Sequence, residues 1–261
     1  EGGAGTFSDG KLTSRSKSPF NRLVLETFVN HMAPPEILYE KKPHIGTDLL
    51  RPIITSMRQK IEDNGGKVHF EHSVVDFIME NDKIVGVKLD NGKTFYSDVI
   101  ILAVGHSARG LFRLLESYQV AVENKPFAVG FRIEHPQDFI NKHQYRTYAD
   151  SPYLGAADYQ LTYHDNKTNR GVYTFCMCPG GEVVLASSEE GRLCVNGMSY
   201  HSRDKENANS AILVSVDERD YGSEPLAGLK FQEMLEEKAF ALTGKSNVAP
   251  VQTLTDFCNQ K

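Results

Sequence analysis

No run in this sequence is long and apolar enough to cross a bilayer. The longest, VIILAV at 99–104, is far too short, and no signal peptide is visible. Cysteine is scarce: Cys176, Cys178, Cys194 and Cys258 in 261 residues make no secreted disulfide framework, so a reducing cytoplasm is the expected compartment. An excess of positive charge is missing too. The net charge of −5 argues against a general nucleic-acid binder, and nothing suggests a membrane partner. The balance is uneven, however. Residues 1–60 hold nine Lys/Arg against six Asp/Glu, or +3, which leaves −8 for the rest. A mildly basic N-terminal part suits a small anionic ligand better than a polyanion. With 40% hydrophobic and 24% charged residues there is ample material for one large core or two smaller ones.

Hydrophobic spacing predicts a short helix over NRLVLETFVNHM and a longer one from Thr47, where Leu49, Leu50, Ile53, Ile54, Met57 and Ile61 recur until Gly65-Gly66 stops the run. A strand is expected over KVHFEHSV, then a three-stranded meander punctuated by MENDKI and LDNGKT. Asn91-Gly92 supplies the hairpin turn. VIILAV reads as a buried strand entering a glycine turn, and SARGLFRLLES as a helix. Beyond Tyr118 the pattern changes. FAVGFRIEH alternates as a strand, GVYTFCMC and EVVLASS read as two strands flanking Pro179-Gly180-Gly181, and LAGLKFQEMLEEKAFALTG as an amphipathic helix closed by Gly244. The expected class is α+β (mixed α/β), with one region at 1–116 and a second at 117–261.

The opening GGAGTFSDGKL comes close to two phosphate-binding signatures and completes neither. From Gly5 it reads G-x-x-x-x-G-K with Leu12 where a P-loop needs a hydroxyl for Mg²⁺; from Gly3 it reads G-x-G with Ser8 where a dinucleotide fingerprint needs glycine. A nucleotide hydrolase is therefore not expected. Glycines so spaced still let backbone N–H groups converge on an anion, with Lys11 as a point charge and the hydroxyls of Thr6 and Ser8 as donors. A flexible terminus is the plainer reading.

Further along, Arg132, Glu134 and His135 share a strand end before Pro136. The arrangement suits a carboxylate held by Arg132 and a proton moved by His135, against the plainer reading of a solvated face. Cys176 and Cys178, at i and i+2 of a strand, are poorly spaced for a disulfide and lack the C-x-x-C motif. Inert buried thiols are the expected reading, flavin-linked redox work the sharper one. His69 and His72 read as surface residues, and no metal site is expected.

The stretches EGGAGTFSDGKLTSR, KPFAVGFRIEHPQDFI, TFCMCPGGEVVLASSEEG and NGMSYHSRD, with the order helix, strand, meander and SDVIILAVGHSARG, resemble the bacterial family of uncharacterised FAD-dependent dehydrogenases, with a glutathione-reductase-like FAD fold. That resemblance implies a partial FAD-binding fold with a β-meander, followed by a mixed-sheet substrate domain. It implies that Gly2, Gly3, Ala4, Gly5, Thr6, Ser8, Gly10 and Lys11 lie along the flavin or its phosphates. Val74 would offer its backbone to the adenine, and Ala103 and Gly105 would pass close to the cofactor, in a motif whose middle threonine has become Val104. It further implies that this sequence is an internal and middle-to-distal piece, without the N-terminal GxGxxG unit and the C-terminal segment that closes over the flavin. Alone it would hold FAD weakly or not at all. The implied activity is hydride transfer between FAD and a small organic substrate, with NAD(P)H as candidate electron donor. A non-catalytic flavoprotein-like interaction module is the alternative, and an exposed apolar patch would favour it.

Overall fold

A computed structural model describes residues 2–14, 16–245 and 247–260. A 3₁₀ turn at Ala4–Phe7 precedes α1 (Asn21–Asn30) and α2 (Thr47–Asp63). Then come β1 (Val74–Glu80), β2 (Lys83–Leu89), β3 (Thr94–Tyr96), α3 (Arg109–Ser117), β4 (Phe127–Pro136) and α4 (Gln137–Tyr145). The remainder comprises β5 (Thr162–Asp165), β6 (Arg170–Cys178), β7 (Gly181–Leu185), β8 (Val195–Ser199), β9 (Asn207–Val216), α5 (Glu218–Tyr221), α6 (Ala227–Thr243) and α7 (Leu254–Cys258). The class is α+β, as the sequence predicts. No helix among the described residues is long and apolar enough to cross a membrane.

The chain folds into two compact units, one built from 1–66, 127–216 and 236–261, the other from 67–126 and 217–235. The first holds an antiparallel sheet of order β4-β9-β6-β5 and a separate β7-β8 ribbon. Its β4–β9 ladder is regular over ten pairs, from Phe127↔Val216 to Pro136↔Asn207. One core forms where α2 buries Leu50 and Ile53 against Ala33, Ile37 and Ile45, with Phe28 and Met57 packed on them. That is the apolar stripe read from the sequence. A second core joins Ile140 of α4, Ala157, Met177 and Ala208.

The second unit is the β1-β2-β3 meander with α3, α5 and part of α6. Tyr118, just past α3, packs edge-on against Phe77 and donates its hydroxyl to Asp76 at 2.7 Å. Arg113 of α3 pairs with Glu233 of α6.

Two expectations are corrected, and the two strands predicted to flank Pro179-Gly180-Gly181 are found in different sheets. VIILAV is neither a strand nor buried: Val99 is 72% and Ile101 84% exposed. No strand of its own unit pairs with it, and a lone extended segment leaves its N–H and C=O groups without a ladder. KVHFEHSV is irregular until Val74, where pairing with Leu89 begins. Finally, β6 and β7 do not form a hairpin across Pro179-Gly180. β6 pairs with β9 and β7 with β8, so the turn passes the chain from one sheet to the other.

Candidate functional site

The first unit gathers a cluster of cations, thiols and buried polar groups on three neighbouring strands. Arg132 lies on β4, Asn209 on the central β9 opposite Glu134, and Cys178 on β6 opposite Asn209. Arg132 donates from Nε to Asn209 Oδ1 and from Nη2 to the Cys176 carbonyl, both at 2.7 Å, with Cys178 Sγ 3.7 Å from Nη2. Gly197 of β8 makes room for this contact. A Cβ there would overlap the guanidinium and lie 2.7 Å from its Cζ. Asn209 is fully buried and its Nδ2 has no partner among the described residues.

The spacing of Cys176 and Cys178 differs from that of a regular strand. The ladder steps from Phe175↔Ala211 to Cys178↔Asn209, so β6 carries one extra residue in a β-bulge, with Cys176 at φ 47°. Cys176 is half-buried and Cys178 fully buried, and Cys178 Sγ donates to the Cys176 carbonyl at 3.4 Å. The neighbouring Cys178 thiol, against the penalty of burial and helped by Lys11 and Arg132, brings Cys176 down to about 6. The same contact, added to burial, pushes Cys178 up and keeps it neutral.

The glycine-rich loop reaches the bulge through Lys11. Its ammonium lies 3.1 Å from Asp9 Oδ2 and donates to the carbonyl of Met177. Asp9 is 1% exposed. It accepts from Arg203 Nε at 3.0 Å and Arg203 Nη2, and from Ser199 Oγ. Burial raises its pKa, but the Arg203 hydrogen bond, the Lys11 and Arg203 charges and the Ser199 hydroxyl together outweigh that and hold it below the ordinary 3.8. His44 and His201 stack nearby at 5.2 Å, and burial, with the Arg203 charge, lowers His44. Arg203 in turn makes Gly180 necessary: at φ 47°, a Cβ on Gly180 would strike the Arg203 carbonyl.

Within the loop, Gly2, Gly3 and Gly5 are exposed, Thr6 and Gly10 are buried, and Ala4 starts the 3₁₀ turn. Ser8 spends its hydroxyl internally, donating to Gly5 O at 2.7 Å and accepting from Gly10 N at 3.0 Å. A Cβ on Gly3 or Gly5 would meet nothing within 4 Å, and Gly3 sits at φ −89°. Neither packing nor backbone conformation requires glycine at these two positions.

His135 bonds through Nε2 to the Tyr159 hydroxyl at 2.8 Å, while its buried Nδ1 has no partner among the described residues. Burial raises the Tyr159 phenol. Beside the bulge, an open groove of about 770 Å³ is lined by Thr13, Ser14, Gln160, Thr162, Tyr173, Thr174 and Phe175. The structure thus brings Lys11, Arg132, Cys176 and Cys178 together. Val74, Ala103 and Gly105 belong to the other unit, where Val74 opens β1 and all three are exposed. Among the described residues no group of three or more His, Cys, Asp or Glu has the arrangement of a metal site.

A family model described as "FAD-dependent protein, C-terminal domain-like" matches residues 126–261, just over half of the chain. The chain belongs to that family. It is also 48% identical over 262 residues to an "Uncharacterized protein" of Clostridium beijerinckii, a match covering 100% of this chain and 49% of the relative. The chain spans about half the length of that curated relative. Of the residues that build the cluster in this family member, the sequence pattern singles out neither Asp9, Gly197, Ser199, Arg203 nor Asn209. The first four lie inside two of the quoted stretches, GGAGTFSDGKL and NGMSYHSRD. No local pattern, however, joins Asp9 to a partner 194 positions away.

Proposed function

We propose that the chain is part of an FAD-dependent oxidoreductase in which the outer face of the glycine-rich loop lies against the flavin and the Arg132–Lys11 cluster faces an anionic organic substrate. The observation that carries this reading is the pair Gly3 and Gly5. Glycine costs about 0.5–1 kcal/mol relative to alanine inside regular structure, and at these two positions the open space beside the backbone leaves room for close approach by a group outside the chain. The family supports the cofactor class. When bound, FAD supplies the two-electron chemistry, and the protein supplies position, polarity and exclusion of water. Lys11, Arg132 and Arg203 make the cluster attractive to a carboxylate or phosphate. His135, with Tyr159 on Nε2 and an unpartnered Nδ1, is suited to hold or take up a proton at Nδ1. The groove along Tyr173 and Phe175 is of the size that takes a small organic molecule. NAD(P)H remains the candidate electron donor.

The test uses the intact polypeptide that carries this sequence. It is expected to bind FAD with visible flavin bands, and Gly3→Val with Gly5→Val is expected to weaken that binding at least about tenfold, a loss of roughly 1.4 kcal/mol, without lowering the melting temperature. An intact polypeptide that takes up no FAD, or a double variant that binds it as tightly as before, overturns the reading. A non-catalytic interaction module is favoured by one observation, the exposed apolar run from Val99 to Val104. Flavin reduction by any organic substrate tells against it.

A further inference from the structure

We propose that Cys176 and Cys178 form an oxidation-sensitive dithiol, in which Cys176 attacks a hydroperoxide and Cys178 resolves the product to a disulfide within the chain. Three features carry this, and none depends on a flavin. The first is conformational. Cys176 sits at φ 47°, a region that costs a non-glycine residue free energy and persists only where surroundings impose it. Here a buried framework imposes it: Arg132 grips the Cys176 carbonyl from two strands away, is itself fixed by Asn209, and needs the missing Cβ of Gly197. The second is the asymmetry of the pair. Cys176 is half-buried beside Phe175, which is 59% exposed on the groove, whereas Cys178 has no exposed surface. One thiol is reachable by a small oxidant and the other is held behind it. The third is charge. Lys11 and Arg132 lie close to Cys176 and favour its thiolate, which is the attacking form.

The Cys176 sulfur attacks the distal peroxide oxygen. An S–O bond forms as the O–O bond breaks, and the leaving alkoxide takes a proton and departs as an alcohol, or as water when the oxidant is hydrogen peroxide. The Cys178 sulfur then attacks the sulfenic sulfur of Cys176, an S–S bond forms, and hydroxide leaves with the Cys178 proton as water. Two thiols lose two electrons in total, and the peroxide gains them.

The full chain is treated with hydrogen peroxide in a C194S/C258S background, since both replaced cysteines are exposed and outside any disulfide. The expected result is loss of the mass of two hydrogen atoms, with the peptide spanning 176–178 protected from alkylation until reduced. In C178S, Cys176 is expected to accumulate as a sulfenic acid trapped by dimedone; in C176S neither product forms. With all four cysteines present, Cys176 is expected to oxidise at least about tenfold faster than exposed Cys194. The proposal is overturned if the pair resists peroxide until the chain unfolds, if Cys194 reacts as fast as Cys176, or if the only disulfide joins two chains. The C194S/C258S chain keeps both proposed residues, so these readings hold even where C176S or C178S fails to fold.

Discussion

Arg132 Nη2 on β4 donates to the carbonyl of Cys176 on β6 at 2.7 Å, reaching past the intervening strand β9, whose Asn209 holds Nε of the same guanidinium. The contact couples the conformation of one bulged residue to a single long side chain. Arg132→Met removes both hydrogen bonds and leaves the buried Asn209 amide with no partner on its oxygen either. Hydrogen bonds from a charged donor contribute about 1.5–3 kcal/mol each, so a loss of roughly 3 kcal/mol is expected from the denaturation midpoint. Arg132→Lys recovers part of it, because an ammonium lacks the fork that reaches two acceptors at once. A loss below about 0.5 kcal/mol for the Met variant, within the range of ordinary surface substitutions, would mean the guanidinium does not set the bulge.

Gly197→Ala tests the same contact from the opposite side. The added methyl would occupy the space now filled by the Arg132 guanidinium and Asn209 Oδ1, and neither is the loose end of an exposed chain. Overpacking of this kind costs about 1–3 kcal/mol. Because both variants act on one contact, their effects should fall short of additive when combined. Full additivity in a double-mutant cycle contradicts the coupling.

Periodicity made much of this fold legible. The α2 stripe from Leu49 to Ile61, the Asn91-Gly92 hairpin and the alternation of β4 all reflect local chemistry, and they appear where the spacing puts them. VIILAV failed because an apolar run reports an affinity for a covering surface, not the presence of a partner strand in its own unit. The bulge at the cysteine pair was hidden for a different reason. A bulge depends on the register against β9 and on Arg132, 44 residues away, and neither is written into the spacing of C-x-C. Lys11 was read as a loop cation, and its partner Asp9, two residues earlier, gains its role only with Arg203, 194 positions away.

Asp9 gives a prediction in acid. Its folded pKa lies below 3.8, so across that window the unfolded chain binds more protons than the folded one and stability rises with pH. The Asp9 contribution is fully present above 3.8 and is lost as pH falls through the folded value. Asp9→Asn leaves Arg203 and Lys11 without their shared carboxylate; with both cations partly hydrated, the expected cost near neutrality is about 2 kcal/mol, less than for a fully buried pair. The cost should shrink on acidification, and the two stability curves should converge as pH falls through the folded value, below 3.8. Parallel curves through that range would show that Asp9 is not the ionised centre of the cluster.

The sharpest pH dependence belongs to Cys176. The groups facing it are Cys178 on its own strand, Lys11 and Asp9 from the N-terminal loop, and Arg132 from β4. Cys178, Lys11 and Arg132 favour the thiolate, while Asp9 and burial oppose it, and the balance places the thiol at about 6 in place of 9.0. Only the thiolate reacts with iodoacetamide, so the native-state alkylation rate of Cys176 should rise through pH 6 and level off by neutrality, with exposed Cys194 followed alongside for comparison. Arg132→Met should move the Cys176 midpoint upward while leaving Cys194 where it was. Cys178→Ala, which removes the neighbouring donor altogether, should move it upward as well, since that thiol is the largest single cause of the depression. If both variants label with the wild-type profile, the thiolate owes nothing to its neighbours, and the bulge is simply a packing solution between β6 and β9.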